Sequence, residues 1–217
     1  MEIKIITTND GSHTLFLPHL NETYHSTHGA VQESQYVFIE QGFLPLKNKA
    51  VSPIRILEVG FGTGLNAWLT AVQQHPVEFT SLELFPLPED VWKQLNYAKG
   101  DDQSLFEKIH EVEWGKLVSV RDDFYLRKIS ESLEKVDLSN FLFDLVYFDA
   151  FAPSKQPEIW SEENFRKIKN QLSPGGVIVS YCASGSFKRT LKALDFEVET
   201  LPGPPGKKEM TRAKLRS

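Results

Sequence analysis

Residues 56–69, ILEVGFGTGLNAWL, carry the pattern that decides the fold. A short apolar run, typical of a buried strand, leads into a loop with glycines at positions 60, 62 and 64, and a helix is predicted from Leu65. Glycine permits a tight turn and a close approach of backbone to a ligand, and the positive end of the helix points to the same place. The loop departs from the G-x-G-x-x-G of dinucleotide-binding enzymes, because position 65 is leucine.

Strands and helices alternate along the rest of the chain. Strands are predicted at 54–60, 77–85, 117–120, 143–151, 175–184, 196–201 and 207–215. Helices are predicted at 65–74, 89–97, 102–109, 125–133, 162–172 and 186–194. This alternation predicts an α/β fold: a seven-stranded, mostly parallel, Rossmann-like sheet with helices on both faces and an antiparallel strand at its C-terminal end.

The first 50 residues have a different pattern. Asp10–Gly11 is a strong turn signal, so residues 7–18 are predicted to form a hairpin. A helix with apolar residues at helical spacing follows and is predicted to end at Pro45, with a link at 48–53. We expect residues 1–50 to form a small cap over the site and residues 51–217 to form the main domain.

Composition limits the class of protein. The 217 residues are 41% hydrophobic and 24% charged, with a net charge of −5, which is ordinary for a globular chain. No run approaches the ~20 apolar residues of a membrane span, and the N-terminus lacks the pattern of a signal peptide. One cysteine, Cys182, and scattered histidines favour neither disulfides nor a metal site. We expect a cytoplasmic protein without membrane or metal.

Four predicted strands end in acids: Glu58, Glu83, Asp122 (with Asp123 as its neighbour) and Asp149. In an open α/β sheet, the ligand crevice lies at the carboxyl ends of the strands. Glu83 lies 19 residues after Gly64, about where an acid binds the ribose hydroxyls of a nucleotide. Asp122 or Asp123 is placed to bind an adenine amino group. Taken singly, each acid is also explained as a solvated loop residue or a helix cap.

Five stretches together resemble one family. They are ETYHSTHGAVQES (22–34), ILEVGFGTGLNA (56–67), SLELFPL (81–87), FDAFAPSKQPEIW (148–160) and PGPPGKKEMTRA (202–213). This chain resembles the methyltransferase module of bacterial MnmC and its stand-alone form MnmD, which methylate the wobble uridine of tRNA. The resemblance implies a class I S-adenosylmethionine-dependent methyltransferase that converts 5-aminomethyl(-2-thio)uridine 34 to the 5-methylaminomethyl form. The chain stops at Ser217, so we expect no flavin-dependent activity of the kind fused to the module in two-domain relatives.

Methyl transfer to an amine requires a free lone pair on nitrogen, whereas an alkyl amine with a pKa near ~10 is mostly protonated at neutral pH. A carboxylate beside the amine accepts its N–H, aims the lone pair and offsets the developing positive charge. Asp149 is the catalytic candidate, either as a base or as an orienting group. Phe151 is placed to stack on the uracil, and Pro153 to stiffen the loop.

The remaining expected contacts follow from the glycine loop, the strand ends, the cap and the basic tail. The predicted cofactor-binding residues are Glu33, Glu58, Gly60, Phe61, Gly62, Gly64, Asn66, Glu83, Asp122, Asp123, Asp149 and Ala150. The predicted substrate contacts, toward the anticodon loop of tRNA, are Tyr24, His25, Tyr36, Phe151, Pro153, Lys155, Lys207, Lys208 and Arg212. Glu33 and Tyr36 lie three apart on one helix, so both are placed to reach a ligand below the cap.

Other functions fit parts of the pattern. An aminopropyltransferase or a small-molecule amine methyltransferase would keep the fold and also place an acid beside an amine. A nicotinamide-dependent oxidoreductase is disfavoured by the glycine spacing. A non-catalytic RNA-binding module is disfavoured by the intact glycines and acids.

Overall fold

The computed structural model describes residues 2–48 and 53–216, which form two sheets with helices packed against them. The predicted link at 48–53, with the boundary between cap and main domain, falls largely on residues 49–52, outside the described residues.

The small sheet lies in the N-terminal residues 2–48, for which we use the name cap. Its strands are β1 (Lys4–Thr7), β2 (His13–Leu17) and β3 (Glu22–Thr23), all antiparallel in the order β1-β2-β3. The predicted turn is confirmed: Gly11 has a φ of +83°, and Asp10 Oδ1 accepts from the Ser12 amide at 2.9 Å. Asp10 Oδ2 also accepts from the Gln32 amide at 3.0 Å, so the hairpin turn caps the helix that follows.

That helix runs through Pro45 instead of ending there. It is α-helical at Ala30–Ser34 (α1), π-helical at Gln35–Phe43 and α-helical again at Leu44–Lys47 (α2). The predicted end at Pro45 is therefore wrong. The change of helix type makes Pro45 a first-turn residue of α2, where a missing N–H and a fixed φ are tolerated.

The large sheet has eight strands in the order β6-β7-β5-β4-β8-β9-β11-β10. They are β4 (Ile54–Val59), β5 (Val77–Leu82), β6 (Leu117–Arg121), β7 (Phe124–Ile129), β8 (Phe143–Phe148), β9 (Leu172–Ser180), β10 (Phe196–Pro202) and β11 (Glu209–Leu215). Strands β7, β5, β4, β8 and β9 are parallel, and β11 is antiparallel to both β9 and β10. The strand order reverses at β4, which is where open α/β sheets bind their ligands.

The helices of the main domain connect these strands. They are α3 (Leu65–Ala71), α4 (Glu89–Trp92), α5 (Asp101–Glu111), α6 (Glu162–Asn170) and α7 (Gly185–Ala193), with a 3₁₀ turn at Pro157–Trp160. Helices α3 and α5 and the cap helix pack on one face of the sheet, and α6 and α7 pack on the other. Residues alternate along each strand: Ile56 faces the first layer and Leu57 the second.

The eighth strand corrects the prediction of seven. Residues 125–133 were predicted as a helix, but β7 occupies Phe124–Ile129 and pairs with β6 as an antiparallel hairpin. Phe124, Leu126 and Lys128 all point inward, which is the period of a strand. The third inward residue is a lysine, which hid the alternation. Its ammonium donates to the His110 carbonyl and lies 4.8 Å from the centre of the Trp114 ring.

Within residues 2–48 and 53–216, no helix has both the length and the apolar character required to cross a membrane.

Candidate active site

A cavity of about 740 Å³ opens where the parallel strands end, between the large sheet and the cap. Its walls come from the segments after β4, β5, β7, β8 and β9, from the cap, and from the loop between β10 and β11. The predicted site residues that line it are Tyr24, His25, Glu33, Gly60, Phe61, Gly62, Asn66, Glu83, Asp149, Ala150, Phe151, Lys155 and Lys207.

The glycine loop needs its glycines for two reasons. Gly60, Gly62 and Gly64 have φ values of +96°, +50° and +72°, which side chains disfavour. A Cβ on Gly60 would also lie 2.7 Å from the Asp149 carbonyl oxygen, so the loop and the end of β8 touch through backbone. The loop thus forms a thin wall that lets a ligand approach the main chain.

Glu83 joins the glycine loop to the end of β5. One of its oxygens accepts from the Gly62 amide at 2.9 Å, and the other accepts from the Phe85 amide at 2.8 Å. These two bonds fix the carboxylate at the cavity wall, and each oxygen keeps a lone pair for a ligand hydroxyl.

Asp149 follows β8 and lies directly beside the glycine loop. Its amide donates to the Val59 carbonyl at 3.0 Å, which places the residue at the switch point of the sheet. Asn66 Nδ2 donates to Asp149 Oδ2 at 2.8 Å. Burial raises the pKa of Asp149 to about 7, so near neutral pH the carboxyl exchanges a proton readily. This is the range in which a general base works best.

Glu58 does not line the cavity, contrary to the prediction that it binds the cofactor. It is fully buried beneath the loop and accepts from the Ser81 hydroxyl. Burial raises its pKa well above the ordinary value, because the charged form loses its hydration. Glu58 Oε1 and Asn66 Oδ1 are both buried without a partner among the described residues. A neutral carboxyl, which can donate, suits this position.

We expect Glu58→Gln to make the protein more resistant to alkaline pH. A raised pKa in the folded state means that the stability contributed by Glu58 is present at acidic pH and lost as pH rises. Glutamine stays neutral and keeps a donor, so between pH ~6 and ~9 the melting temperature should fall less than in wild type. Thermal unfolding measures this, with the exposed Glu197→Gln as control. An equal fall in wild type and Glu58→Gln would show that Glu58 is charged when folded.

Tyr24 and His25 are two of the cap side chains that line the cavity. Tyr24 packs edge-on against Phe151, with ring centres 5.3 Å apart. His25 is buried, and burial lowers its pKa to about 4, so the ring is uncharged at neutral pH. Its backbone amide donates to the Thr14 hydroxyl at 3.0 Å. Cap and main domain therefore meet through aromatic packing over the cavity.

The loop after Asp149 is braced from two sides. The Trp160 indole donates to the Phe151 carbonyl at 2.8 Å. Lys155 Nζ donates to the Leu20 carbonyl of the cap at 2.8 Å and lies 3.6 Å from Glu22. Lys155 thus ties the loop after Asp149 to the cap hairpin.

Glu33 connects the cap helix to the loop between β10 and β11. It is 5% exposed, and its Oε2 accepts from the Ser26 amide at 2.6 Å. Its Oε1 pairs with the ammonium of Lys207, which also lies 3.8 Å from the centre of the Tyr181 ring. Tyr181 donates to the Ala150 carbonyl at 2.7 Å. This ion pair closes one side of the cavity beside Asp149.

Asp122 and Asp123 lie near the amino ends of the parallel strands, away from the cavity. The prediction that one of them binds the adenine is therefore wrong. They form the turn between β6 and β7, and the Asp123 carbonyl accepts from the Val77 amide at the start of β5. Asp123 pairs with Arg121 at 2.6 Å. The third parallel strand is β7, and its carboxyl end is Ile129. The acid that follows this strand and lines the cavity is therefore Glu131.

The remaining predicted contacts lie outside the cavity wall. Tyr36 instead donates to the Pro202 carbonyl at 3.1 Å, and Arg212 pairs with Glu199 on the neighbouring strand. Gly64 caps α3 beneath the loop, and its Cβ would lie 2.8 Å from His110 Nε2. Pro153 and Lys208 are likewise absent from the wall.

Several lining residues were not predicted from the sequence. Leu84 and Phe85 follow Glu83 at the mouth of the cavity, and they are 49% and 65% exposed. The signal available in the sequence was the pair of apolar residues directly after Glu83. Glu131 fell within the helix predicted at 125–133, and Tyr181 fell within the strand predicted at 175–184.

The cavity fits a nucleoside cofactor that carries a methionine group. Its wall has a glycine cradle that a Cβ would fill, a fixed acid suited to ribose hydroxyls, and buried Asn66 Oδ1 without a partner among the described residues. Across residues 2–48 and 53–216, no group of three or more His, Cys, Asp or Glu side chains is arranged to hold a metal ion.

Comparisons with known proteins agree with this geometry. Residues 102–216 match the model of a family described as S-adenosyl-L-methionine-dependent methyltransferase. The tRNA 5-methylaminomethyl-2-thiouridine biosynthesis bifunctional protein MnmC of Cupriavidus necator is 30% identical over 216 residues, covering 93% of this chain and 33% of that protein. The protein of the same name from Pseudomonas fluorescens is 32% identical, covering 90% and 32%. The chain thus spans about a third of these relatives.

Among solved structures, MNMC2 from Aquifex aeolicus superposes with a TM-score of 0.80 and 30% identity, covering all of this chain and 71% of that one. Spermidine synthase from Thermotoga maritima, at 15% identity and a TM-score of 0.62, shares the fold. The predicted α/β fold with a mostly parallel sheet, the predicted cofactor and the resemblance to MnmC are confirmed. The chain belongs to the family of S-adenosyl-L-methionine-dependent methyltransferases.

Proposed function

We propose that this methyltransferase transfers a methyl group to the 5-aminomethyl group of the wobble (2-thio)uridine of tRNA, giving the 5-methylaminomethyl form. The observation that carries the proposal is the position of Asp149. Asp149 lines the cavity beside the glycine loop, has one carboxyl oxygen hydrogen-bonded to Asn66, and has a pKa of about 7. The names of the relatives point to the same nucleoside.

S-adenosylmethionine supplies an electrophilic methyl group on a sulfonium. Glu83 is positioned to hold the ribose, and Glu131, which stands where the third parallel strand ends, is positioned toward the adenine. Gly60 and Gly62 leave room for the methionine part beside the backbone.

Asp149 acts on the acceptor amine. A carboxyl with a pKa near 7 takes a proton from an ammonium far better than an ordinary aspartate does, and at neutral pH it passes that proton on to solvent. The restored carboxylate then accepts an N–H bond that aims the lone pair. Asn66 holds the carboxyl in place. Phe151 and Tyr24, packed edge to face at the cavity wall, offer apolar surface to an uracil ring.

The experiment is a transfer assay with methyl-labelled S-adenosylmethionine. The acceptors are tRNA that carries 5-aminomethyluridine at position 34 and the same tRNA with unmodified uridine there. We expect label only in the first. A parallel reaction with decarboxylated S-adenosylmethionine tests for aminopropyl transfer. Folded protein that binds the cofactor and yet labels neither tRNA, or that transfers only the aminopropyl group, would overturn the proposal.

Phe85 is expected to contribute to tRNA affinity. Its ring is 65% exposed at the mouth of the cavity, and its amide is fixed by Glu83. Stacking of an unpaired base on an aromatic ring is worth about 1–3 kcal/mol, so Phe85→Ala should raise the KM for tRNA about tenfold. The KM for S-adenosylmethionine should change little. Leu142→Ala, an exposed apolar side chain away from the cavity, is the control. A rise in the cofactor KM alone would place Phe85 on the adenine instead.

A further inference from the structure

Glu33 and Lys207 form an ion pair in the wall of the cavity. Glu33 is a buried carboxylate on the cap helix, and Lys207 comes from the loop between β10 and β11, so the pair joins two segments far apart in sequence. Both residues line the same cavity as Asp149, and Tyr181 lies below the ammonium while donating to the carbonyl next to Asp149. The pair is therefore part of the acceptor end of the site.

The surroundings of Asp149 are well defined. Asn66 on α3 donates to it, and buried Glu58 on β4 lies behind it. Tyr181 after β9, Glu33 on the cap helix and Lys207 approach from the other side. Two of these groups carry charges into the cavity near the amine: a carboxylate, Glu33, and an ammonium, Lys207.

We propose that Lys207 balances the charge of Glu33, so that Asp149 is the uncompensated carboxylate at the acceptor end and the site accepts one cationic amine. This inference rests on the proposed function. With Glu33 unpaired, two neighbouring carboxylates would compete for one proton, and a lone Lys207 would repel the incoming ammonium. The pair avoids both conditions. Glu33 and Lys207 are thus positioning residues that act through Asp149.

The two charges of the pair shift the proton affinity of Asp149 in opposite directions. Glu33 raises the proton affinity of Asp149 and Lys207 lowers it, and in the pair the two effects oppose each other. Removing the carboxylate of Glu33 alone leaves the ammonium of Lys207, which lowers the proton affinity of Asp149. Removing both charges restores the balance.

The test is a pH titration of Asp149 by carbon NMR of protein labelled in its aspartate carboxyls, with the signal assigned by Asp149→Asn. We expect Glu33→Gln to lower the proton affinity of Asp149 at least tenfold, and the double variant Glu33→Gln, Lys207→Met to return it close to wild type. Glu209→Gln removes the carboxylate of the Lys188 ion pair outside the cavity and should leave Asp149 unchanged. Circular dichroism confirms folding of each variant.

An unchanged midpoint in Glu33→Gln, or a double variant no closer to wild type than the single one, would overturn the inference. The titration needs no tRNA, so it stands apart from the proposed function. Should no tRNA be methylated while the midpoints move as described, the substrate assignment fails and the charge balance stands. In an active enzyme, the acid limb of the pH–rate profile should move with the NMR midpoint.

Discussion

Asp149→Asn should lose about 10³-fold in kcat for methyl transfer while its affinity for S-adenosylmethionine stays within about twofold of wild type. Asparagine keeps the size of the side chain, and its oxygen still accepts from Asn66. It takes no proton and does not offset the positive charge that forms on nitrogen. The loss therefore falls on the chemical step.

The pH dependence gives this prediction a second readout. Burial raises the pKa of Asp149 to about 7, and the useful form is the carboxylate, so the wild-type rate should rise with pH through that value and then level off. The limb should be absent in Asp149→Asn. Single-turnover kinetics measure the rate, and calorimetry measures cofactor affinity. Asp137→Asn, an exposed aspartate outside the cavity, is the control. Loss of cofactor binding in Asp149→Asn, with transfer intact at saturation, would make Asp149 a cofactor ligand only.

Gly60→Ala should abolish measurable cofactor binding and destabilise the fold. At a φ of +96°, alanine costs about 1–3 kcal/mol in backbone strain alone. Its Cβ would also meet the Asp149 carbonyl oxygen at 2.7 Å, and that atom belongs to backbone that cannot turn aside. The loop would have to move away from the end of β8, and the two walls of the site would separate.

Gly115→Ala separates the effect of backbone strain from the effect of the contact with the Asp149 carbonyl oxygen. Gly115 has a φ of +82°, close to that of Gly60, but a Cβ there meets nothing within 4 Å. It should share the destabilisation from strain and keep cofactor affinity. Thermal unfolding and calorimetry on both variants make the comparison. Equal cofactor affinities in the two variants would show that the contact between the loop and Asp149 has no part in binding.

Much of the site was predictable because its residues follow strands in sequence. Strand ends meet at one edge of a parallel sheet, so the sequence alone places Gly60, Glu83 and Asp149 together. The glycines were readable for the same reason: few other residues tolerate these φ values. Local pattern and topology agree at these positions.

The third parallel strand was not predictable, because tertiary contacts overrode its local pattern. Lys128 occupies an inward position that pattern rules reserve for apolar residues, and it is stabilised by the His110 carbonyl and the Trp114 ring. With residues 125–133 predicted as a helix, β6 was expected to be the third parallel strand, although it runs antiparallel to β7. The acid expected at the carboxyl end of that strand was therefore Asp122 instead of Glu131. Pairs that join distant segments, such as Glu33 with Lys207, leave no periodic trace in a single sequence.

We propose that the enzyme methylates the side-chain amine of 5-aminomethyluridine at the wobble position of tRNA. The most direct measurement is mass spectrometry of nucleosides from tRNA carrying 5-aminomethyluridine 34 after incubation with the wild-type protein and S-adenosylmethionine. We predict that the 5-aminomethyluridine peak is replaced by one heavier by a single methyl group, with fragmentation placing the methyl on the side-chain nitrogen. An unchanged 5-aminomethyluridine peak, or a methyl group on the ring, on the ribose or at another nucleotide, would contradict it.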